Sequence, residues 1–506
     1  DSAQWDVNIL TPIFKASLGV NDLIADSFTQ IAPDGAVTLV FDSTIYTTPL
    51  DSVFEIRDTL QTSLFVSPGN ITLTPGFVFY SQPNEISLDL NSVELSLAII
   101  KSGHARLIAK NHLPTAVIYT FNIPEAKLNG VPFQKIQTLD AAPPGGATEF
   151  SGLFDISGYT IDLTGTTGTE YNQLTYNVTG QTSPSGTTVN VVPGDTIVDV
   201  TSGFEALIPL YARGYLGQGS VEVSGENSIG TGKLLDGSIL FDSVTAILTL
   251  KNSIGADAQA ILSSMRSVNN RTGTTVDLVA PDFVNQTLNL NRATETGTPP
   301  SPVNSTYYSI QLDNTNSNIV ALVENLPEKL SYDLNFFLNP LGNASGHHDF
   351  LYTDDLFDAN LKVNFPLRFA ANQILFSDTQ DIANLSTTAD ENLGDGIFKL
   401  IADNGFPYEF NLQIIMLNDI GVATDSLLVP DRIAPAMMDA NFRAIGKERT
   451  IISIPLSVER RKNLLNTKRV AIRARFSTAS YPQQLQVYSD YELNLKLVGD
   501  FIYMIR

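Results

Sequence analysis

Five stretches of this chain alternate apolar and polar residues or concentrate β-branched ones: TLVFDSTIYTT, ISLDLNSVELSLAII, GSILFDSVTAILTL, RVAIRARFSTAS and ELNLKLVGDFIYMI. A period of two sends successive side chains to opposite faces of a sheet, so these stretches are strands with one face buried. Between them stand turn clusters such as APDG, SPGN, AAPPGG, TGTTGT, SPSGTT and NPLGNASG. Strands separated by Gly, Pro and Asn turns, with no regular helices between them, exclude βαβ units and predict antiparallel pairing. The expected fold class is all-β: tandem antiparallel β-sandwich or barrel-like modules, elongated, with minor helix. Helix is expected over 256–267 (ADAQAILSSMRS) and for a turn or two over 458–466.

One phrase is written more than once. LIAKNHLP, from Leu107 to Pro114, returns as LIADNGFP, from Leu400 to Pro407, each with a Gly four residues before the Leu (Gly103, Gly396). AILTLKNSIG places Asn252 where Asn111 and Asn404 stand, with Gly255 in the Pro position, and ALVENLP, ending at Pro327, is a looser copy. A second phrase, an apolar residue before Pro-Leu, recurs at Pro209, Pro366 and Pro455, so the two phrases alternate three times. Repetition at unequal spacing predicts related β-modules with variable loops and excludes a solenoid of short fixed period. Asn tolerates left-handed backbone and can hydrogen-bond its own turn, and Pro suits the first residue of a following strand. Asn111, Asn252 and Asn404 are therefore read as structural turns at a strand-turn-strand corner. The expected division is an N-terminal β-rich segment at 1–90 and three β-modules at 91–225, 226–345 and 346–506, the last with a basic C-terminal part.

A chain of 506 residues with 43% hydrophobic and 16% charged residues can bury several cores. Its net charge of −23 repels phosphate backbones and argues against nucleic acid as a partner. Eleven of the thirty basic residues nevertheless fall between Arg432 and Arg475, where a mixed run such as ERRKNLLNTKR reads as a solvated face. Cysteine is absent, which removes disulfides, thiolate metal sites and a cysteine nucleophile. No apolar run reaches the length of about 18 residues that spans a bilayer, so no transmembrane segment is expected. The start, DSAQWDV, reads as a processed N-terminus, with a lipid anchor upstream of Asp1 left open.

The search for chemistry returns few candidates. His347, His348 and Asp349 combine the ligand types of a metal site, although adjacent strand residues point to opposite faces and a solvated polar loop accounts for them more readily. Asp378, Asp381, Asp390 and Asp395 could offer oxygen ligands to Ca²⁺, but they lack EF-hand spacing and a chain this acidic makes such clusters by composition. No cofactor other than Ca²⁺ is a candidate. No G-x-S-x-G elbow, P-loop, Rossmann glycine pattern or H-E-x-x-H is present in a credible context, and no carboxylate pair stands out for glycoside cleavage.

Asp-Ser or Asp-Thr followed by a small or aliphatic residue recurs with its hydroxyl at Ser2, Ser43, Ser52, Thr59, Thr196, Ser243 and Ser426. This resembles the O-glycosylation motif of exported Bacteroidota proteins, and the same dipeptides also suit strand ends. The segments WDVNILTPIFKASLGVNDLIADS, KSGHARLIAKNHLPTAVIYTFNIPEAKLNGVPF and VYSDYELNLKLVGD resemble those of large Bacteroidota cell-envelope lipoproteins. That resemblance implies an exported protein held at the outer membrane, on its periplasmic or outer face, and transfers no functional residue. The expected function is a non-enzymatic structural or interaction protein of the cell envelope, an accessory subunit of outer-membrane assembly, secretion or uptake machinery with protein partners there. A lipid- or glycan-binding β-groove and a glycan-active hydrolase are the alternatives.

Overall fold

The computed structural model describes residues 5–20, 29–48, 56–228, 234–381, 393–457, 467 and 469–505. The chain is all-β, and every pair of named strands in it runs antiparallel. Strand pairing resolves it into three units of eight strands each, every unit formed from two facing four-stranded sheets.

The eight strands of the first unit, in chain order, are Thr59–Val66, Val78–Ser87, Glu94–Asn111, Val117–Leu128, Val131–Leu139, Thr148–Asp155, Gln173–Thr182 and Thr196–Tyr215. Pairing places them in the orders 1-8-3-6 and 2-7-4-5. The second unit repeats this with Val37–Thr47, Gly219–Ser228, Thr245–Asn252, Ala258–Asn269, a fifth position shared by Thr274–Asp277 and Leu288–Leu290, then Thr306–Leu312, Lys329–Leu338 and Phe357–Pro366. The third uses Trp5–Gly19, Arg368–Asp381, Leu393–Asn404, Tyr408–Leu417, Ala423–Leu428, Glu448–Leu456, Arg469–Thr478 and Glu492–Ile505. Two four-stranded sheets in these orders define a jelly roll, so the protein is three jelly rolls, numbered 1 to 3 below. In roll 1 a short strand, Thr160–Asp162, pairs with both sheets and joins them into a nearly closed barrel.

The rolls are nested. Roll 1 is built from one continuous stretch, residues 59–215, whereas the first strand of roll 2 lies at 37–47 and that of roll 3 at 5–19. The first ninety residues thus supply strands to all three rolls and do not close a unit of their own. The anticipated boundary at 345/346 falls inside roll 2, whose eighth strand is Phe357–Pro366. Segments outside the eight-strand sets add to sheet edges. Asp349–Tyr352 of roll 2 pairs with Tyr211–Gly214 of roll 1, Leu234–Phe241 pairs with the second strand of roll 3, and Thr29–Ile31 pairs with the first strand of roll 2.

The expected helix over 256–267 is instead the strand Ala258–Asn269. Its residues are good helix formers, but Ala258, Ala260 and Leu262 alternate into the core at no more than 2% exposure, and burial of that face overrides propensity. Residues 458–466 lie outside the described residues. A helix occurs at Ile319–Glu324, which takes in most of the looser copy ALVENLP. Pro209 and Pro366 lie in the eighth strands of rolls 1 and 2, but Pro455 lies in the sixth strand of roll 3, so the Pro-Leu phrase does not mark one structural position.

The core of roll 1 is filled by rings. Tyr119, Phe121, Phe133, Tyr176 and Phe204 are each at most 1% exposed, and Phe121 meets Phe133 and Tyr176 edge-on at 5.7 and 5.6 Å. Edge-to-face packing of this kind adds about 0.5–1.5 kcal/mol per pair beyond the area buried.

Candidate functional site

The three repeated asparagines end the third strand of their respective rolls, where the chain passes to the fourth strand and hence to the other sheet. Each is at most 1% exposed. Asn111 Nδ2 donates to the carbonyls of Thr115 at 2.8 Å and Asp140 at 2.7 Å, and its Oδ1 accepts from the Leu113 N–H at 2.9 Å. Asn252 makes the same three bonds with Ala256, Asn291 and Ile254, and Asn404 with Tyr408, Ala434 and Phe406. One bond of each set closes the corner locally, four residues on. Another reaches 29, 39 or 30 residues ahead, to backbone beside the strand or bridge that pairs with the fourth strand. A single buried amide thus satisfies three backbone groups, two of them in the core, that the turn would otherwise leave unpaired. The preceding glycines also match: a Cβ at Gly103 would lie 2.8 Å from Leu207, and one at Gly396 would lie 2.4 Å from Phe501, both on the eighth strand of their roll.

The side chains of His347, His348 and Asp349 diverge and do not form the expected metal cluster. His347, with φ of 65°, stacks on Tyr171 with ring centroids 4.2 Å apart and places Nε2 2.6 Å from Glu94 of roll 1. His348 turns Nδ1 toward the carbonyls of Ser345 and Gly346. Asp349, 1% exposed, accepts from Arg292 at 3.0 Å, from Asn339 at 2.7 Å and from the Leu216 N–H at 3.2 Å. The left-handed backbone at His347 and the start of a strand at Asp349 separate the three directions. Among the described residues no group of three or more His, Asp or Glu side chains is placed to hold a metal ion.

Of the Ca²⁺ candidates, Asp390 lies outside the described residues. The backbone of Asp378 and Asp381 lies on the second strand of roll 3 and that of Asp395 on the third strand, in the opposite sheet. Ser2 and Ser52 also lie outside the described residues. Ser43, Thr59, Thr196, Ser243 and Ser426 are half-buried, on strands or in the turn before Thr245, and the Ser426 hydroxyl accepts from Gln413 Nε2 at 2.7 Å.

Asp349 belongs to the junction of rolls 1 and 2, the polar centre that sequence reasoning missed. Roll 2 extends a hairpin, Thr294–Glu295 paired with Val303–Asn304, over the end of roll 1, where Glu295 accepts from Tyr211 Oη at 2.8 Å and from Arg213. Burial and the Glu295 carboxylate together push the Tyr211 phenol up. Beside this network a small open cleft is lined by Leu90, Val93, Leu216, Ile254 and Phe336, with Asn91, Ser92 and Gln218 among its polar groups. The junction of rolls 2 and 3 repeats the arrangement. Arg443, in the loop before the sixth strand of roll 3, packs 4.3 Å over the Tyr488 ring and donates to the carbonyl of Asp34 beside the first strand of roll 2. In both junctions the loop before the sixth strand of one roll contacts the preceding roll.

No known protein-family model matches the chain, and none of the curated proteins matches it. Among solved structures it is similar to a protein of Parabacteroides distasonis ATCC 8503 provisionally described as secreted, at 10% identity over 97% of this chain and 99% of that one, with a TM-score of 0.29. It is also similar to a triple jelly roll protein of an archaeal virus with a turret assembly, at 12% identity over 90% of this chain and 92% of that one, with a TM-score of 0.12. A protein of infectious bursal disease virus, Gx strain, shares 8% identity over 90% of this chain and 82% of that one, with a TM-score of 0.14. Scores of this size transfer nothing to this chain, and the jelly-roll assignment rests on its own strand pairing.

Proposed function

We propose that this chain is an exported, non-enzymatic structural and interaction protein of the bacterial cell envelope, serving as an accessory subunit of outer-membrane assembly, secretion or uptake machinery. The observation that carries this reading is the way the rolls are joined. Each junction is made by buried or half-buried side chains on strands and the loops beside them, through Asp349, Arg292 and Glu295 at one and Arg443 and Tyr488 at the other. Units held in series by such contacts present sheet faces and edges at set positions, which suits a scaffold for protein partners. Asn111, His347 and Asp349 spend their polar atoms on backbone or on other side chains of the rolls. Mild-detergent extraction of native cells followed by affinity purification tests the proposal: a stable complex containing envelope proteins is expected, and recovery as a free monomer alone would sink it.

A second reading, a lipid- or glycan-binding module, is favoured by the open cleft beside Leu216 and Phe336. The interior of roll 1 offers no groove of the expected kind, because rings occupy it. Native mass spectrometry of the purified protein would report a bound small molecule, and widening the cleft through Phe336→Ala should then change its retention.

A further inference from the structure

The three rolls share one architecture, and strand 7 lies inside the 2-7-4-5 sheet of each. In a sheet packed on one side only, the outward residues of each strand are ordinarily polar. Strand 7 of roll 1 turns out Asn177, Thr179 and Gln181, and strand 7 of roll 2 turns out Ser331, Asp333 and Asn335. Strand 7 of roll 3, with Val470, Ile472 and Ala474 in the core, turns out Arg469, Ala471, Arg473 and Arg475 instead.

Two of these arginines differ from the rest of the chain. Arg473 is exposed and Arg469 half-buried, and among the described residues neither has a carboxylate within 4.0 Å, although the chain carries 53 acidic side chains. Every other described arginine has one within that distance. Arg475 donates to Asp236 at 3.1 Å, and Glu409 on the same face accepts from Arg432 at 2.9 Å. Asp381 is the acidic residue whose backbone lies opposite Arg469, on strand 2. On the other flank, strand 4 sets Ile415 opposite Ala471 and Leu417 opposite Arg469, both turned outward because Leu412, Ile414 and Met416 fill the core. Leu428, on strand 5, is 72% exposed. Along strand 7 the face therefore reads cation, apolar, cation, with an apolar flank.

We propose that this face docks an extended acidic segment of a partner protein, one whose facing side chains read acid, apolar, acid. The proposal rests on the reading of the chain as a structural and interaction protein and names the chemistry of one surface through which it works. Same-face residues recur about every 6.8 Å along a strand, so acids four residues apart on such a segment meet Arg469 and Arg473 while the apolar residue between them covers Ala471 and Ile415. Guanidinium forks bind carboxylates bidentately, and arginine interleaved with apolar groups is a composition of protein interfaces. A polyanionic glycan offers little apolar surface to Ile415, Leu417 and Leu428. An anionic bilayer confronts the net charge of −23 on the whole chain, whereas a single segment meets only the charges within a screening length of about 8 Å.

The test is fluorescence anisotropy with the full chain and a labelled peptide that repeats Glu-Glu-Leu-Leu three times, which alternates acid and apolar side chains on each of its faces when extended. Binding is expected at about 0.1 M salt and should weaken at least about tenfold with Arg473→Glu or with Arg469→Glu, each with an unchanged circular dichroism spectrum. Peptides with Gln in place of Glu, or Ser in place of Leu, should bind the wild type at least about tenfold more weakly, a control that needs no variant. Lys127→Glu, the same change of charge on strand 4 of roll 1, should leave binding unaltered. Absence of peptide binding, binding indifferent to both arginines, equal binding of the Ser peptide, or capture of phosphatidylglycerol vesicles that depends on Arg473 overturns the proposal. Where the peptide fails but an envelope complex is still recovered from cells, the docking surface is wrong and the functional reading stands.

Discussion

At the scale of single residues, the corner asparagines decide more than any candidate catalytic group. Replacing Asn404 with Ala strands the Tyr408 carbonyl and the Phe406 N–H inside the core and removes the partner of the Ala434 carbonyl at its edge. Each orphaned buried group costs about 1–3 kcal/mol, so a loss of roughly 3 kcal/mol or more is expected in denaturant melts. Asn404→Asp should do at least as much damage at neutral pH, because it aims a carboxylate at two carbonyl oxygens, and should recover in part on acidification, when the protonated group can donate. These asparagines were legible because their signal is local: a strand, an Asn and a turn repeated. Asp349 was legible only as a would-be ligand beside two histidines, since Arg292, Asn339 and Leu216 reach it from separate parts of the chain.

Buried tyrosines give the molecule a pH limit. Burial raises the phenols of Tyr119 and Tyr408 well above their ordinary 10.0, and raises Tyr491 to about 12. In the unfolded chain these groups ionise near 10.0, whereas in the fold they keep their protons. The stability this represents is therefore complete below pH 10.0 and is lost progressively as pH climbs past it. Denaturant midpoints should fall as pH rises from about 10 to about 12, with part of the phenolate absorbance appearing only on unfolding. A midpoint flat across that range would contradict the burial of these rings.

Among elements, the second strand-forming signal was present where helix was expected. The residues of 256–260 alternate Ala with a polar residue, Asp257 and Gln259, before Ile261 breaks the pattern, but Ala, Gln, Leu and Met favour helix, and propensity masked the period. The spacing of two won because Ala258–Asn269 sits between strand neighbours on both sides in its sheet. A contact no pattern announces is the approach of the edge strand to Gly203: a Cβ there would sit 1.9 Å from the Thr59 carbonyl oxygen. Gly203→Ala should push Thr59–Val66 off strand 8, seen as faster hydrogen exchange confined to 59–66 and 199–204 while the Asn111 corner stays protected.

For the molecule as a whole, the triple jelly roll was legible as repeated β-modules, but their membership was not. A strand carries no mark of a partner hundreds of residues away, so the pairing of Trp5 with Ile505 and of Thr47 with Asp358 could not be read from either segment. Roll 1, with all eight strands between 59 and 215, should fold as an isolated fragment of residues 56–217 and give a cooperative melt. Residues 219–366 alone, and 368–505 alone, lack their first strands and should remain loosely packed until peptides 29–48 and 5–20 are supplied in trans. Cooperative unfolding of either fragment without its peptide would count against the nesting described here.

That nesting also sets a timetable for a chain made from its N-terminus. Of the strands in these rolls Trp5–Gly19 leaves the ribosome first, yet its partner Glu492–Ile505 leaves last. At about 5–20 residues per second the wait lasts tens of seconds, during which the strand must be kept from other partners. The middle roll waits a shorter time, and the first completed roll is the one whose eight strands are contiguous. The birth order of the rolls therefore reverses the order in which their opening strands are made, and a chaperone or a translocation channel that holds the earliest residues extended would be acting on the step that limits maturation.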